Sequence, residues 1–227
     1  MTDQNASDTH WPDYYDVTAE RPSWTTTKTA AEAFGDHPAD GPRFAVDLGC
    51  GAGRDTRELL RRGWRVLATD MTPEGPERLW ELTPRADRDR LETEVSRLQD
   101  FEVPVCDLVN ANLILPFQPA EDDEATWARI LAAIPVGGRV SGMLFGDRDQ
   151  AAQEVGMTCP APEVIRGYLD GFEVEYWNEK EEDGQTALGD DHHFHPVSYT
   201  HLRAHETNNS ISYAVFCLKR GGGGGGG

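Results

Sequence analysis

Cysteine is scarce in this chain: four residues at irregular spacing among 227, with no Cys-x-x-Cys pair. That pattern excludes a disulfide framework and predicts reduced thiols in a cytoplasmic protein. Long apolar runs are missing, and no stretch approaches the roughly 18 residues of a membrane-spanning helix. The opening stretch, MTDQNASDTHWPDYYD, is polar and acidic, without the basic and apolar regions of a secretory signal or transit peptide. Positive charge is also in deficit, with 21 Lys and Arg against 40 Asp and Glu and a net charge of -19. Such a surface argues against nucleic acid or an anionic membrane as partner and favours a small molecule. There is no internal repeat, no second core, no Ser-His-Asp arrangement and no phosphate-binding P-loop. The length suits one domain with a substantial core. Nothing in the pattern specifies an oligomeric state.

What the chain does have is alternation of strands and helices. Phe44 to Leu48, Arg65 to Asp70, Leu91 to Val95, Val105 to Asn110, Gly138 to Phe145 and Phe172 to Trp177 read as six strands. Helices are predicted over Thr26 to Phe34, Thr56 to Arg62, Pro76 to Leu82, Asp122 to Ile134 and Pro162 to Leu169, with Gly35 and Gly63 as stops after the first two. In the fourth of these, Trp127, Ile130, Leu131 and Ile134 share one face. This order predicts an α/β fold: a mostly parallel sheet with helices on both faces. Residues 1–23 read as a mobile segment. Within it Trp11, Tyr14 and Tyr15 are suited either to a lid over a ligand or to a satellite aromatic cluster.

The most informative stretch is AVDLGCGAGRD, residues 45–55. It runs from an apolar strand through an acid into Gly49, Gly51 and Gly53, and then opens a helix. In parallel sheets ligands bind at the carboxyl ends of the strands. Glycine there allows a sharp turn and close approach of a ligand to the backbone. A dinucleotide fingerprint, G-x-G-x-x-G counted from Gly49, would require glycine at position 54, which is Arg54. Instead Asp47 sits at the strand end, where it could hold an ammonium group. Asp70 ends the second strand, where an acid can accept both hydroxyls of a ribose. One acid for an amine, one for a ribose and open backbone between them match S-adenosylmethionine.

The segment AVDLGCGAGRDTRELLRRGWRVLATD resembles the first motif and following acidic strand of class I S-adenosylmethionine-dependent methyltransferases. HWPDYYD, DLVNANLILPF and GGRVSGMLFGDRD follow in the order of the small bacterial, tellurite-resistance-like members, so the resemblance extends from about Trp11 to His195. It implies a Rossmann-like three-layer αβα fold with a seven-stranded sheet whose last strand is antiparallel. It further implies that Asp47, Gly49, Cys50, Gly51 and Gly53 surround the methionine part of the cofactor. Asp70 would bind ribose, with Met71 against adenine, and Asn110 would border the methyl-transfer site. Where the family often has an acid for the adenine amine this chain reads Arg97. That contact then falls to Asp100 or to the Leu98 backbone. The implied activity is methyl transfer from S-adenosylmethionine to a small-molecule acceptor, a thiol, amine or oxyanion, by in-line displacement. The alternatives are a nicotinamide-dependent oxidoreductase and a non-catalytic cofactor-binding module.

Two further stretches stand apart. His192, His193 and His195 could be metal ligands, but no Cys or acid is placed beside them by sequence. The reading adopted is an ordinary strand or active-site rim without metal. EKEEDG, from Glu179, reads as a solvated hairpin or loop. Beyond His195 the sequence resembles something other than a protein. VSYTHLRAHET, residues 197–207, is similar to a translated transposase adapter from DNA sequencing libraries, and ISYAVFCL, residues 211–218, to the flow-cell primer that follows it. Seven glycines end the chain. The expected division is therefore a cap segment and helix over 1–35, a methyltransferase domain over 36–195, and a non-native tail over 196–227. The family's last strand, expected from about His192–His195 onward, would then be truncated, with SISYAVFCLKR able to take its place by apolar alternation.

Overall fold

The structure, a computed structural model, describes residues 11–38, 41–154 and 156–203. Among these residues lie six α-helices and nine strands: α1 (Trp11–Thr18), α2 (Thr25–Ala33), β1 (Phe44–Leu48), α3 (Arg54–Arg61), β2 (Arg65–Asp70), α4 (Glu74–Leu82), β3 (Leu91–Val95), β4 (Leu108–Asn112), α5 (Asp123–Ala132), β5 (Arg139–Phe145), α6 (Pro162–Tyr168), β6 (Glu173–Glu179), β7 (Glu182–Gln185), β8 (Asp191–Phe194) and β9 (Pro196–Leu202). Seven strands form one sheet in the order β3-β2-β1-β4-β5-β9-β6. β9 is antiparallel to both its neighbours, and the β1–β5 pairs are parallel. This is the Rossmann-like methyltransferase architecture.

The period of two along each strand divides the core into two layers. Ala45, Val66, Ala68 and Leu108 face one side, packed with Leu59, Leu60, Trp64 and Leu79. Val46, Leu48, Val109 and Val140 face the other, against Trp127, Ile130 and Ile165 of α5 and α6. Buried on both faces, the central strands read as near-continuous apolar runs, as a parallel sheet requires.

The N-terminal segment is a correction to the sequence reading. Trp11–Thr18 is helical and docked, with Tyr15 3% exposed, because its aromatic side chains find apolar partners in the fold that local sequence does not reveal. β4 is displaced towards the C-terminus relative to the expected Val105 to Asn110, so the strand ends at Asn112. The acidic run is a solvated ribbon: exposed β7 pairs with β8 in a separate two-stranded sheet.

The histidine stretch ends at this ribbon, and the inner antiparallel strand is Pro196–Leu202. Val197 and Tyr199 are fully buried there, and the Thr200 hydroxyl donates to the Thr26 carbonyl at 3.5 Å. Other polar groups fit less well. Tyr199 Oη and His201 Nδ1 are buried without hydrogen-bond partners. Burial, with Arg166 nearby, lowers the His201 pKa to about 4. An orphaned buried hydroxyl costs free energy that a phenyl ring does not, so Tyr199→Phe should raise the unfolding free energy by about 1 kcal/mol in urea titrations. A lower urea midpoint would show that the hydroxyl is satisfied in solution. SISYAVFCLKR and the terminal glycines lie outside the described residues.

Candidate active site

The carboxyl ends of β1, β2 and β4 open into a cavity of about 210 Å³. It is placed by the glycine turn after β1. Gly49, Gly51 and Gly53 all have left-handed backbone, at φ of +66°, +50° and +79°. Close packing adds a second constraint. A Cβ on Gly51 would lie 3.1 Å from Tyr15 Cε1, and one on Gly53 only 2.2 Å from Leu79 Cδ1. The turn can therefore follow this path only with glycine at these positions.

Beneath the turn lies a buried polar network. Asp47 is 2% exposed; its carboxylate accepts from Thr56 Oγ1 at 2.5 Å and from Asn110 Nδ2 at 2.8 Å. The β1–β4 register places Asp47 opposite Asn110, and the β4–β5 register places Asn110 opposite Ser141. The Asn110 carbonyl oxygen accepts from Thr27, Ser141 and Asn112 at 2.9, 3.1 and 3.1 Å. Asn112 also donates to Asp55 Oδ2 at 2.9 Å. Asp55 Oδ1 accepts from the Ser23 hydroxyl and the Trp24 amide at 2.7 and 2.9 Å. Burial, reinforced by Asp55, raises the Asp47 pKa above the ordinary carboxylate range. Among the described residues no ion pair with Lys or Arg compensates Asp47.

Asp70, at the end of β2, accepts from the Gly51 amide at 2.9 Å, the Thr72 amide at 3.1 Å and the Tyr15 hydroxyl at 3.1 Å. Burial and the neighbouring Asp70 raise the Tyr15 pKa strongly, so its proton stays on and it acts as a donor. Burial, reinforced by Asp70 and Asp47, holds the Cys50 pKa well above the usual thiol value and makes it a poor nucleophile.

Asp47, Gly49, Cys50, Gly51, Gly53, Asp70 and Met71 all line the cavity. Asn110 does not: it is 0% exposed, beneath Asp47, and the residue of β4 that reaches the cavity is Asn112. The cause is the displacement of β4, which moves the strand end two places along while keeping the same face. Leu98 is absent from the lining, and its carbonyl accepts from Arg129 Nη2 at 3.2 Å. Arg97 and Asp100 are exposed on the turn after β3.

Other lining residues escaped the sequence reading. Leu113 has φ of +56°, the left-handed region unusual for a branched side chain, and it turns the chain from β4 across the cavity. Trp24, Ile114, Phe117 and Phe145 complete the apolar wall. The run LILPF carried an apolar signal, but its approach to the glycine turn is a tertiary fact. Trp11, Tyr14 and Tyr15 line the cavity and also form an aromatic cluster, with Trp11 4.9 Å from the Phe117 ring centre. The aromatic cluster weighed from sequence is present, and its rings face the cavity.

The histidines lie away from the lining. His192 Nε2 is 2.7 Å from Asp149, and His193 Nδ1 is 2.7 Å from Asp183. The Arg148 amide donates to His195 Nδ1 at 3.2 Å.

Comparison with known proteins agrees with this geometry. Residues 45–138 match the family model described as methyltransferase domain. The sheet around them has the fold of the class I S-adenosylmethionine-dependent methyltransferases. Among solved structures, TehB from Haemophilus influenzae is similar at TM-score 0.65 and 16% identity, over 78% of this chain and 61% of that one. The chain thus spans less than two thirds of that relative. The 1,6-didemethyltoxoflavin-N1-methyltransferase of Burkholderia thailandensis, solved with S-adenosylhomocysteine, matches at TM-score 0.58 and 24% identity, over 88% and 87% of the two chains. The N-methyltransferase NodS of Bradyrhizobium japonicum, also with S-adenosylhomocysteine, matches at TM-score 0.57 and 16% identity, over 85% and 99%. No curated protein matches the sequence. No helix among the described residues is long and apolar enough to cross a membrane.

Proposed function

We propose that this chain transfers a methyl group from S-adenosylmethionine to a small-molecule acceptor, by in-line displacement. The observation that carries this reading is Asp47, a buried carboxylate without a protein cation at the foot of the glycine turn. It is accompanied by Asp70 at the next strand end. Asp47 would hold the cofactor's ammonium, which supplies the missing charge. Asp70 would receive the ribose hydroxyls, displacing the Tyr15 hydroxyl from Oδ1. Bound S-adenosylmethionine supplies a methyl already activated by its sulfonium. The residues around it would therefore supply alignment and exclusion of water. Trp11, Phe117 and Phe145 provide apolar cover, and Asn112 offers a polar group at the strand end. A thiol, amine or oxyanion acceptor would suit such a site, because none demands a strong base.

Calorimetric titration tests the reading. S-adenosylhomocysteine should bind with micromolar affinity and NAD should not; the reverse would indicate a nicotinamide-dependent oxidoreductase. Binding without methyl transfer to any of a thiol, amine and oxyanion panel would indicate a cofactor-binding module. Asp47 adds a pH signature. Its raised pKa means that the folded protein retains a proton that the unfolded chain has lost. Asp47 therefore contributes less stability as pH rises from the ordinary carboxylate range through its raised value. A bound ammonium favours the ionised form, so affinity should increase over that same interval. Asp47→Asn should abolish the slope, and an equal slope in the variant would remove Asp47 from the ammonium site.

The same proposal includes the division of the chain: a cap and helix over 1–35, the catalytic domain over 36–195, and a non-native tail over 196–227. The resemblance of residues 197–207 and 211–218 to translated sequencing-library adapter and primer supports it. Sequencing the source gene across codon 195 tests it directly. A different, apolar-alternating strand there would support the division, and genomic VSYTHLRAHET would refute it.

A further inference from the structure

A second cavity of about 210 Å³ lies between the linker that joins α1 to α2 and one face of α3. It shares only Arg54 with the first cavity. Arg54, Arg57 and Arg61 come from α3, where spacings of three and four residues put them on one side. Arg21 comes from the linker. In a chain with 40 Asp and Glu against 21 Lys and Arg, this is an unusual meeting of positive charge.

The acids that line this cavity do not neutralise it. Glu58 is taken by Arg61 Nη2 at 2.8 Å and by Arg62 Nε at 2.7 Å. Glu20, Arg21, Arg54 and Arg57 enter no ion pair among the described residues. Arg57 Nη2 donates to the Ala19 carbonyl, but Arg57 Nε is buried without a partner, as is Arg54 Nη2. Burial lowers the Arg54 pKa, and the nearby Arg21 charge adds to the fall. Like charges held together with idle donors carry a cost that an anion would remove. An oxyanion suits them, because its several oxygens accept charge-assisted hydrogen bonds from more than one guanidinium.

We infer that this cavity binds a phosphate group, which bridges Arg21 of the linker and Arg57 of α3. The bridge fastens the linker to the helix, in line with the existing bond from Arg57 to Ala19. α1, whose aromatic side chains wall the first cavity, ends at Thr18, where this linker begins. Such a site is independent of what the first cavity binds.

Calorimetric titration of the full chain with inorganic phosphate tests for the site, with ionic strength held constant by sodium chloride. Two or three charge-assisted hydrogen bonds predict saturable binding with a Kd on the order of 1 mM. Arg21→Gln and Arg57→Gln should each weaken it by at least about 10-fold. Hydrogen exchange of the amides over residues 19–24 should slow when phosphate is added to wild-type protein, and should not change in either variant. Glycerol phosphate in a parallel titration separates the sources of the group: tighter binding than inorganic phosphate marks an ester as the ligand, and weaker binding marks the free ion. No saturable binding of either probe, or equal binding by wild type and both variants, would overturn the assignment. Arg21 is exposed, so Arg21→Gln decides alone if Arg57→Gln does not fold by its thermal melt.

Discussion

Gly53→Ala should lower the unfolding free energy by about 2–5 kcal/mol, the largest effect expected of any methyl-sized change in the cavity. Two costs combine. At φ of +79° an L-residue is forced into left-handed backbone, which costs about 1–2 kcal/mol. The new Cβ would also stand 2.2 Å from Leu79 Cδ1 and 2.9 Å from Leu79 Cγ. Leu79 is fully buried in α4 and cannot swing away, so α4 must shift, at about 1–3 kcal/mol. Equilibrium denaturation in urea reads the sum. Pairing with Leu79→Ala separates the two parts: in that background the clash is gone and only the backbone cost should remain. A loss unchanged between the two backgrounds would show that Leu79 is not what confines Gly53.

Asp70→Ala should weaken S-adenosylhomocysteine binding by about 2–3 kcal/mol, a fall of roughly 30- to 150-fold. The carboxylate accepts from the Gly51 amide, so its loss frees the turn as well as removing the acceptor for the ribose hydroxyls. Asp70→Asn separates these effects. It retains one carbonyl oxygen, so the turn keeps a partner while the second ribose acceptor is lost. Titration calorimetry on both variants, with circular dichroism to verify folding, supplies the measurement. Affinity within 2-fold of wild type for both, by the scale of a single hydrogen bond of about 1 kcal/mol, would remove Asp70 from the ribose site.

The legible part of this protein is concentrated in residues 44–70. Phe44–Leu48 and Arg65–Asp70 follow directly from the sequence pattern, because buried parallel strands bounded by glycine turns and a polar helix leave few alternatives. The three glycines were readable because their backbone path is closed to other residues. The N-terminal helix was not readable in the same way. WPDYYDVT has weak apolar periodicity, and its docking depends on Phe117 and Asp70, far along the chain. The displacement between Asn110 and Asn112 has a similar origin. Local pattern places a strand, but the pairing with β1 and β5 decides where it ends.

Sequence alone determined the alternation of strands and helices, the turn that opens the cavity, and the acids Asp47 and Asp70 at adjacent strand ends. These are consequences of periodicity and of glycine's access to left-handed backbone, and both are local. Tertiary structure alone decided that Asn110 lies beneath the cavity and Asn112 beside it. It also decided that Tyr15 reaches Asp70, and that Arg54 is left with an unused donor over Trp24. Those facts depend on which distant side chains satisfy one another when water is excluded, and no pattern along the chain encodes that pairing.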